Sequence, residues 1–164
     1  MKRLFMIGGP MGVGKTTTCQ LLKEKLNNAV FLDGVWCWDA SPFQVTEETK
    51  KMVLENICFL LNQFLHCSAY ENVIFCRVMH KQSILDEILE HLDLSECEVK
   101  CISLICTKQA LMKRLQADAD EGIITADVIE HSLQRLPLYS CLKTMKVDVS
   151  NLTAADAADT ILAL

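Results

Sequence analysis

An α/β domain built on a mostly parallel sheet is predicted by three observations. Short apolar runs recur along the chain: Leu4-Phe5-Met6-Ile7, Ala29-Val30-Phe31-Leu32, Asn72-Val73-Ile74-Phe75-Cys76 and Val99 to Cys106. Between them lie segments with apolar residues at helical spacing, such as Ile84, Leu85, Ile88, Leu89 and Leu92. Turn residues separate the two kinds of segment, as at Asn27-Asn28, Asp33-Gly34 and Pro42. Strands alternating with helices favour a parallel sheet, because parallel neighbours need long crossovers and these are nearly always right-handed. A length of 164 residues fits one domain, spanning 1–164, so any substrate and cofactor must share one fold.

Each element follows in order. The first strand leads into a helix over Thr17 to Leu26, with Leu22 and Leu26 four apart. The second strand, ending at Asp33-Gly34, is followed by a loop that closes at Pro42. Thr46 can cap a long helix with Glu48 and Thr49 in its first turn, running to about His66. After the third strand and its amphipathic helix comes the fourth strand, then a helix marked by Leu111, Met112 and Leu115. An acidic stretch through Asp118, Asp120, Glu121 and Gly122 precedes a helix starting near Thr125-Ala126-Asp127. Lys146 to Val149 reads as the last strand, and Thr153 caps a short terminal helix. No repeat, low-complexity run or linker interrupts the series.

Hydrophobic residues make up 51% of the chain, and its net charge of −5 is spread without a basic block. Binding to nucleic acid through phosphate contacts is therefore disfavoured, and a small molecule is the expected partner. The nine cysteines sit mostly in apolar segments, as in Ile74-Phe75-Cys76, and read as small buried hydrophobes suited to a reducing cytoplasm. Cys97 and Cys101 lack a second pair of ligands at zinc spacing, so no zinc site is expected. Met1-Lys2-Arg3 enters the first strand directly, which leaves no room for a signal peptide, and no apolar run reaches membrane-spanning length. A soluble cytoplasmic protein with no membrane partner is expected, as a monomer or homodimer.

The chemistry concentrates in Gly9-Pro10-Met11-Gly12-Val13-Gly14-Lys15-Thr16, which fits G-x-x-x-x-G-K-[ST] between a strand and a helix. Glycines 9, 12 and 14 let the backbone take positive φ and approach a polyphosphate closely, so that several N–H groups and the helix N-terminus point at one anion. Lys15 adds a cation near the β and γ phosphates, and Thr16 supplies a hydroxyl where a phosphate-bound Mg²⁺ needs oxygen. The expected nucleotide-binding residues are Gly9, Met11, Gly12, Val13, Gly14, Lys15, Thr16 and Thr17. Ligands of open α/β sheets bind at the strand C-terminal ends, which should gather this loop, the Asp33 to Asp39 loop and the residues after Cys76 around one crevice.

Both tryptophans, Trp36 and Trp38, fall in the second of these loops. They can form a flat wall for an acceptor ring or pack into the core. A wall would suit a sugar, nucleoside or antibiotic-like molecule. Arg77 follows the third strand, with His80 nearby, and can reach an anionic group of an acceptor. His66, His91 and His131 read as surface helix residues.

With the phosphate loop, Phe31-Leu32-Asp33-Gly34, Val73 to Cys76, Arg114 on the Leu111 to Leu115 helix, and Val147-Asp148-Val149-Ser150-Asn151 in order, the chain resembles the small bacterial P-loop kinases. That group includes gluconate kinase, adenylylsulfate kinase, shikimate kinase and chloramphenicol phosphotransferase, and the likeness is to its branch of AAA-family ATP-binding proteins and nucleotide kinases. The resemblance implies a three-layer P-loop NTPase fold, with a parallel sheet ordered 2-3-1-4-5, helices on both faces and a small lid near 116–136. It also implies ATP and Mg²⁺ as cofactors, and transfer of the γ-phosphoryl group to a hydroxyl of a small acceptor.

Such kinases often end their second strand in Asp-Gly-Asp, the first carboxylate toward Mg²⁺ and the second toward the acceptor. The resemblance thus makes Asp33 a metal and catalytic residue beside Thr16, whereas Val35 stands where the acceptor carboxylate would be and cannot accept a proton. Asp33, Asp39 or water must then take it, and a turn residue is the plainer role for Asp33. Val35, Trp36, Trp38, Asp39 and Arg77 are the expected acceptor-binding residues. Arg114 and Arg135 correspond to arginines that cover the nucleotide and stabilise the transferring group, with surface ion pairs as the competing role. The acidic lid suggests that adenine is gripped by shape. No Asn/Thr-Lys-x-Asp guanine-reading motif is present, which favours ATP. A nucleoside or nucleotide kinase, or an ATP-binding switch without catalysis given Val35, are the alternatives.

Overall fold

A computed structural model describes residues 1–164. Its elements are β1 (Lys2–Gly8), α1 (Lys15–Lys25), β2 (Ala29–Asp33), α2 (Glu47–His66), β3 (Asn72–Arg77), α3 (Gln82–Glu90), β4 (Cys97–Ile105), α4 (Lys108–Asp120), α5 (Ala126–Arg135), β5 (Met145–Asp148) and α6 (Ala154–Leu162). Two 3₁₀ turns, Gly34–Cys37 and Leu136–Cys141, have no counterpart in the sequence pattern. The five strands form one sheet in the order β2-β3-β1-β4-β5, and every pairing is parallel.

β1 lies at the centre, and its apolar run is continuous because helices cover both faces of the sheet. Successive side chains alternate between those faces. Phe5 and Ile7 join Phe31, Ile74, Ile102 and Leu104 under α1, α4 and α6, packing on Leu22, Leu111, Leu115 and Ile161. Leu4 and Met6 join Leu32, Val73 and Phe75 under α2 and α3, packing on Ile57, Leu61, Leu85 and Ile88. Leu4, Met6 and Ile7 are fully buried, and each contributes roughly 1.5–3 kcal/mol of transfer free energy to the fold.

The helix ends follow local chemistry. Thr46 caps α2 by accepting from the Thr49 amide, while the Thr49 hydroxyl accepts from the Thr46 amide at 2.8 Å. Thr153 and Asp156 make the same reciprocal arrangement on α6. β4 starts two residues earlier than its apolar run suggests, because Cys97 and Glu98 pair with Lys2 and Arg3 at the start of β1. β5 sits one residue earlier than expected, with Met145 opposite Ile102. α4 extends through the acidic stretch to Asp120, so the expected lid region is a helical hairpin of α4 and α5 turning at Gly122, where φ is 73°. No helix is long and apolar enough to cross a membrane.

Candidate active site

β1 delivers the chain at its C-terminal end into the glycine-rich loop, and α1 starts at Lys15, earlier than apolar spacing indicates. Gly14 caps that helix with φ 99°, a left-handed conformation that favours glycine. Gly12 has φ 84°, and a Cβ there would lie 2.5 Å from Leu115 Cδ2. Gly12→Ala is accordingly expected to lower stability by about 1–3 kcal/mol through overpacking and backbone strain, measured by urea unfolding.

Lys15 Nζ donates to the carbonyl of Pro10 at 2.9 Å, folding the side chain over its own loop. Burial pulls its ammonium below the ordinary lysine value, opposed by the nearby Cys76, Asp33 and Cys19 groups. The next residue meets β2: Thr16 Oγ1 donates to Asp33 Oδ2 at 2.5 Å. Asp33 is 3% exposed, and its other oxygen accepts from the Val35 amide at 3.1 Å, starting the 3₁₀ turn. Thus Asp33 starts the turn and also accepts from the loop threonine, a bond that sets its carboxylate beside Thr16.

The loop is braced from behind. Arg114 donates from Nη1 to the Val13 carbonyl at 2.7 Å and from Nη2 to the Val149 carbonyl at 2.8 Å. Its guanidinium therefore ties the loop to the chain leaving β5, rather than standing free or pairing with a surface carboxylate. Ser132, buried on α5, donates to the Met11 carbonyl at 2.7 Å. A single hydroxyl on a helix gives no sequence signal of such a contact across the fold, and Ser132 is a site residue that sequence reasoning misses.

A crevice of about 520 Å³ opens over these groups, lined by Gly12, Lys15, Thr16, Asp33, Val35 and Arg77 among others. Arg114 and Asp118 form its α4 side. Met11, Gly14 and Thr17 also line it, while Val13 is buried beneath the loop. On the far side of Arg114, a smaller hollow of about 260 Å³ lies between Val13, Gly14 and Thr17 and the segment from Val149 to Ala157.

The expected single crevice is corrected in one respect. Trp36, Trp38 and Asp39 line a separate hollow of about 500 Å³, against Pro42, Thr49 and Met52, while Val35 remains with the phosphate loop. The reason is the 3₁₀ turn, in which successive side chains point about 120° apart. Trp36 is 54% exposed and stands edge-on to Phe31 at 5.1 Å, whereas Trp38 is half-buried against the α2 face of the core and stacks on Phe43 at 4.2 Å. Trp36 thus lines the hollow from an exposed position, while Trp38 both lines it and packs against the core.

Arg135 is exposed at the end of α5 and is not among the residues lining the crevice. Its charge acts instead on His80 and Tyr139. Burial, with Arg135, Lys81 and Arg77, holds the His80 imidazole below its ordinary value. Its Nδ1 and the Tyr139 hydroxyl are buried without a protein partner. His66 pairs with Asp93 on the surface, and no three His, Cys, Asp or Glu side chains gather as a metal cage. Thr16 and Asp33 still fit a Mg²⁺ whose remaining ligands are phosphate oxygens and water, since one oxygen of each lies beside the loop at hydrogen-bond distance.

The AAA domain family matches residues 6–132. Among solved structures, the Deinococcus radiodurans tunicamycin resistance protein is 20% identical, with a TM-score of 0.70 over 99% of this chain and 95% of that one. A gluconokinase from Sinorhizobium meliloti 1021 is 18% identical, with a TM-score of 0.70 over 97% and 89%. Shikimate kinase from Acinetobacter baumannii, solved in complex with shikimate, is 20% identical, with a TM-score of 0.62 over 99% and 91%. No curated protein matches the sequence. These structures share the sheet order and layers described above, and the family match covers most of the chain, including the glycine-rich loop: the protein belongs to the AAA domain family and has the fold of the P-loop kinases.

Proposed function

We propose that the protein is an ATP-dependent phosphotransferase that moves the γ-phosphoryl group to a hydroxyl of a small, ring-bearing acceptor. The observation that carries this reading is the hydrogen bond from Thr16 to Asp33 at the mouth of the loop, with Lys15 beside it. A loop used only as a turn has no need of a threonine, a buried carboxylate and a cation converging at one edge. The loop amides would hold the β and γ phosphates, and the hollow beyond Arg114 would take the adenine, between Arg114 and an apolar wall that includes Val149, Leu152 and Ala157. Mg²⁺, when bound through Thr16 and Asp33, would offset charge on the bridging phosphate oxygens.

The acceptor would bind in the tryptophan hollow, whose lining starts one residue after Val35 of the crevice wall, although no residue lines both spaces. Its hydroxyl oxygen forms a bond to the γ phosphorus as the bond from that phosphorus to the β–γ bridging oxygen breaks, ADP leaves, and the hydroxyl proton passes to Asp33 or to water. Arg77, on the crevice wall, would stabilise charge on the transferring group. Phosphoryl transfer depends chiefly on positioning and charge, so the chain's lack of a carboxylate at Val35 slows the reaction without removing it.

Val35, 63% exposed where a carboxylate would meet the acceptor, is the specific observation that favours a second reading: an ATP-binding switch. One experiment separates the two. Protein incubated with ATP, Mg²⁺ and a metabolite extract is expected to give a phosphorylated metabolite by mass spectrometry, and Val35→Asp is expected to raise its rate by about 10-fold or more. No product with the native chain, and product only with Val35→Asp, would favour the switch.

A further inference from the structure

The tryptophan hollow carries information about charge as well as shape. Trp36 stands edge-on to Phe31 and Trp38 lies against Phe43, and Trp36 is the more exposed of the two indoles. Directly after Trp38, and lining the same space, is Asp39, whose carboxylate makes no hydrogen bond or ion pair within the chain. Cys37, Pro42, Gln44, Met52 and Asn56 are among the other lining residues, and no Lys, Arg or His is. The two lysines early on α2 are already engaged, Lys50 with Glu47 at 3.0 Å and Lys51 with Glu55 at 3.7 Å. Arg135 lies beside His80, while Arg77 lines the phosphate crevice and its charge reaches Cys37 at the near edge of the hollow, leaving Asp39 as the one charged side chain in the lining itself.

Aromatic faces attract cations through their negative quadrupole, and an unpaired carboxylate beside them adds direct charge attraction. A volume of about 500 Å³ is in the range for a small organic ligand and far too large for a bare ion. We infer that the hollow framed by Trp36, Trp38 and Asp39 selects a cationic organic molecule, an amine or quaternary ammonium on a ring. This rests on the reading of the hollow as the acceptor site, and it makes the acceptor a cationic ring compound with a free hydroxyl.

The test uses three probes of similar size: trimethylphenylammonium, its neutral isostere tert-butylbenzene, and benzenesulfonate. Trp36 and Trp38 are the only tryptophans in the chain, so quenching of indole fluorescence reports on this hollow directly. Trimethylphenylammonium is expected to bind at least about tenfold more tightly than the neutral isostere, with the sulfonate weakest. Asp39→Asn is expected to reduce that preference to about twofold, and Asp39→Glu to restore most of it. Equal affinity for the three probes, preference for the sulfonate, or an unchanged preference in Asp39→Asn would each overturn the inference. Calorimetric titration of the same samples with ATP and Mg²⁺ keeps the two readings apart. Heat from the nucleotide without cation preference removes only the acceptor charge, whereas absence of nucleotide heat removes the phosphotransferase reading itself.

Discussion

Lys15→Ala is expected to reduce ATP turnover by about 10²- to 10³-fold, the scale seen when one fixed electrostatic donor is removed from a transition state. The Lys15 ammonium is already held over the loop by the Pro10 carbonyl, so its charge is in place before the nucleotide arrives. Burial makes that charge unfavourable in the free protein, as the lowered lysine value indicates. A triphosphate would relieve the penalty, and much of the attraction is therefore realised only in the complex. Removing the ammonium should leave the fold intact, since Lys15 is only partly buried at the crevice wall and the Pro10 carbonyl still accepts from the Val13 amide at 3.3 Å. The expected outcome is a large loss of turnover with a melting temperature close to that of the native chain. Turnover at the native level would remove Lys15 from the phosphates.

Asp33→Asn has the second largest expected effect, and it separates charge from shape. The amide oxygen that this substitution introduces can still accept from the Val35 amide and preserve the 3₁₀ turn, while the negative charge beside Thr16 is lost. Mg²⁺-dependent turnover should fall by about 10²-fold, because a charged metal ligand is replaced by a neutral one. Nucleotide binding in the presence of a chelator should change by less than about threefold, or improve, since the lost carboxylate repels phosphate. Equal losses with and without Mg²⁺ would make Asp33 purely a turn residue. Asp33→Ala, by contrast, also strands the Val35 amide and is expected to lower stability by about 1–3 kcal/mol.

The parts of this protein legible in the sequence are those whose causes are local. The glycine-rich loop is eight consecutive residues whose conformations and charges follow from residue type, and the start of α2 is readable because Thr46 and Thr49 carry their capping chemistry with them. The order of strands is different. Which strand lies beside β1 depends on contacts far apart in the chain, and only the family resemblance supplies it. Similarly, Arg114 can be singled out by resemblance, but its bonds to Val13 and Val149 span 101 and 35 residues and leave no local pattern. Ser132 is the extreme case, a buried hydroxyl whose partner lies 121 residues away.

The loop after β2 shows how a short element alters a site. Its polar and aromatic residues point to ligand contact, yet a 3₁₀ turn of four residues divides them between two cavities. Val35 turns toward the phosphate loop while Trp36 turns away. Such turns have little sequence signature, and here the turn is set by the Asp33 carboxylate accepting from the Val35 amide. Under the proposed reaction the division would put Val35 on the phosphate side and Trp36, Trp38 and Asp39 on the acceptor side.

Direct titration of the intact protein with ATP, by calorimetry with and without Mg²⁺, tests the central claim most simply. One site per chain is expected, with affinity enhanced by Mg²⁺ and strongly reduced in Lys15→Ala. A folded sample that gives no heat with ATP under either condition would contradict it.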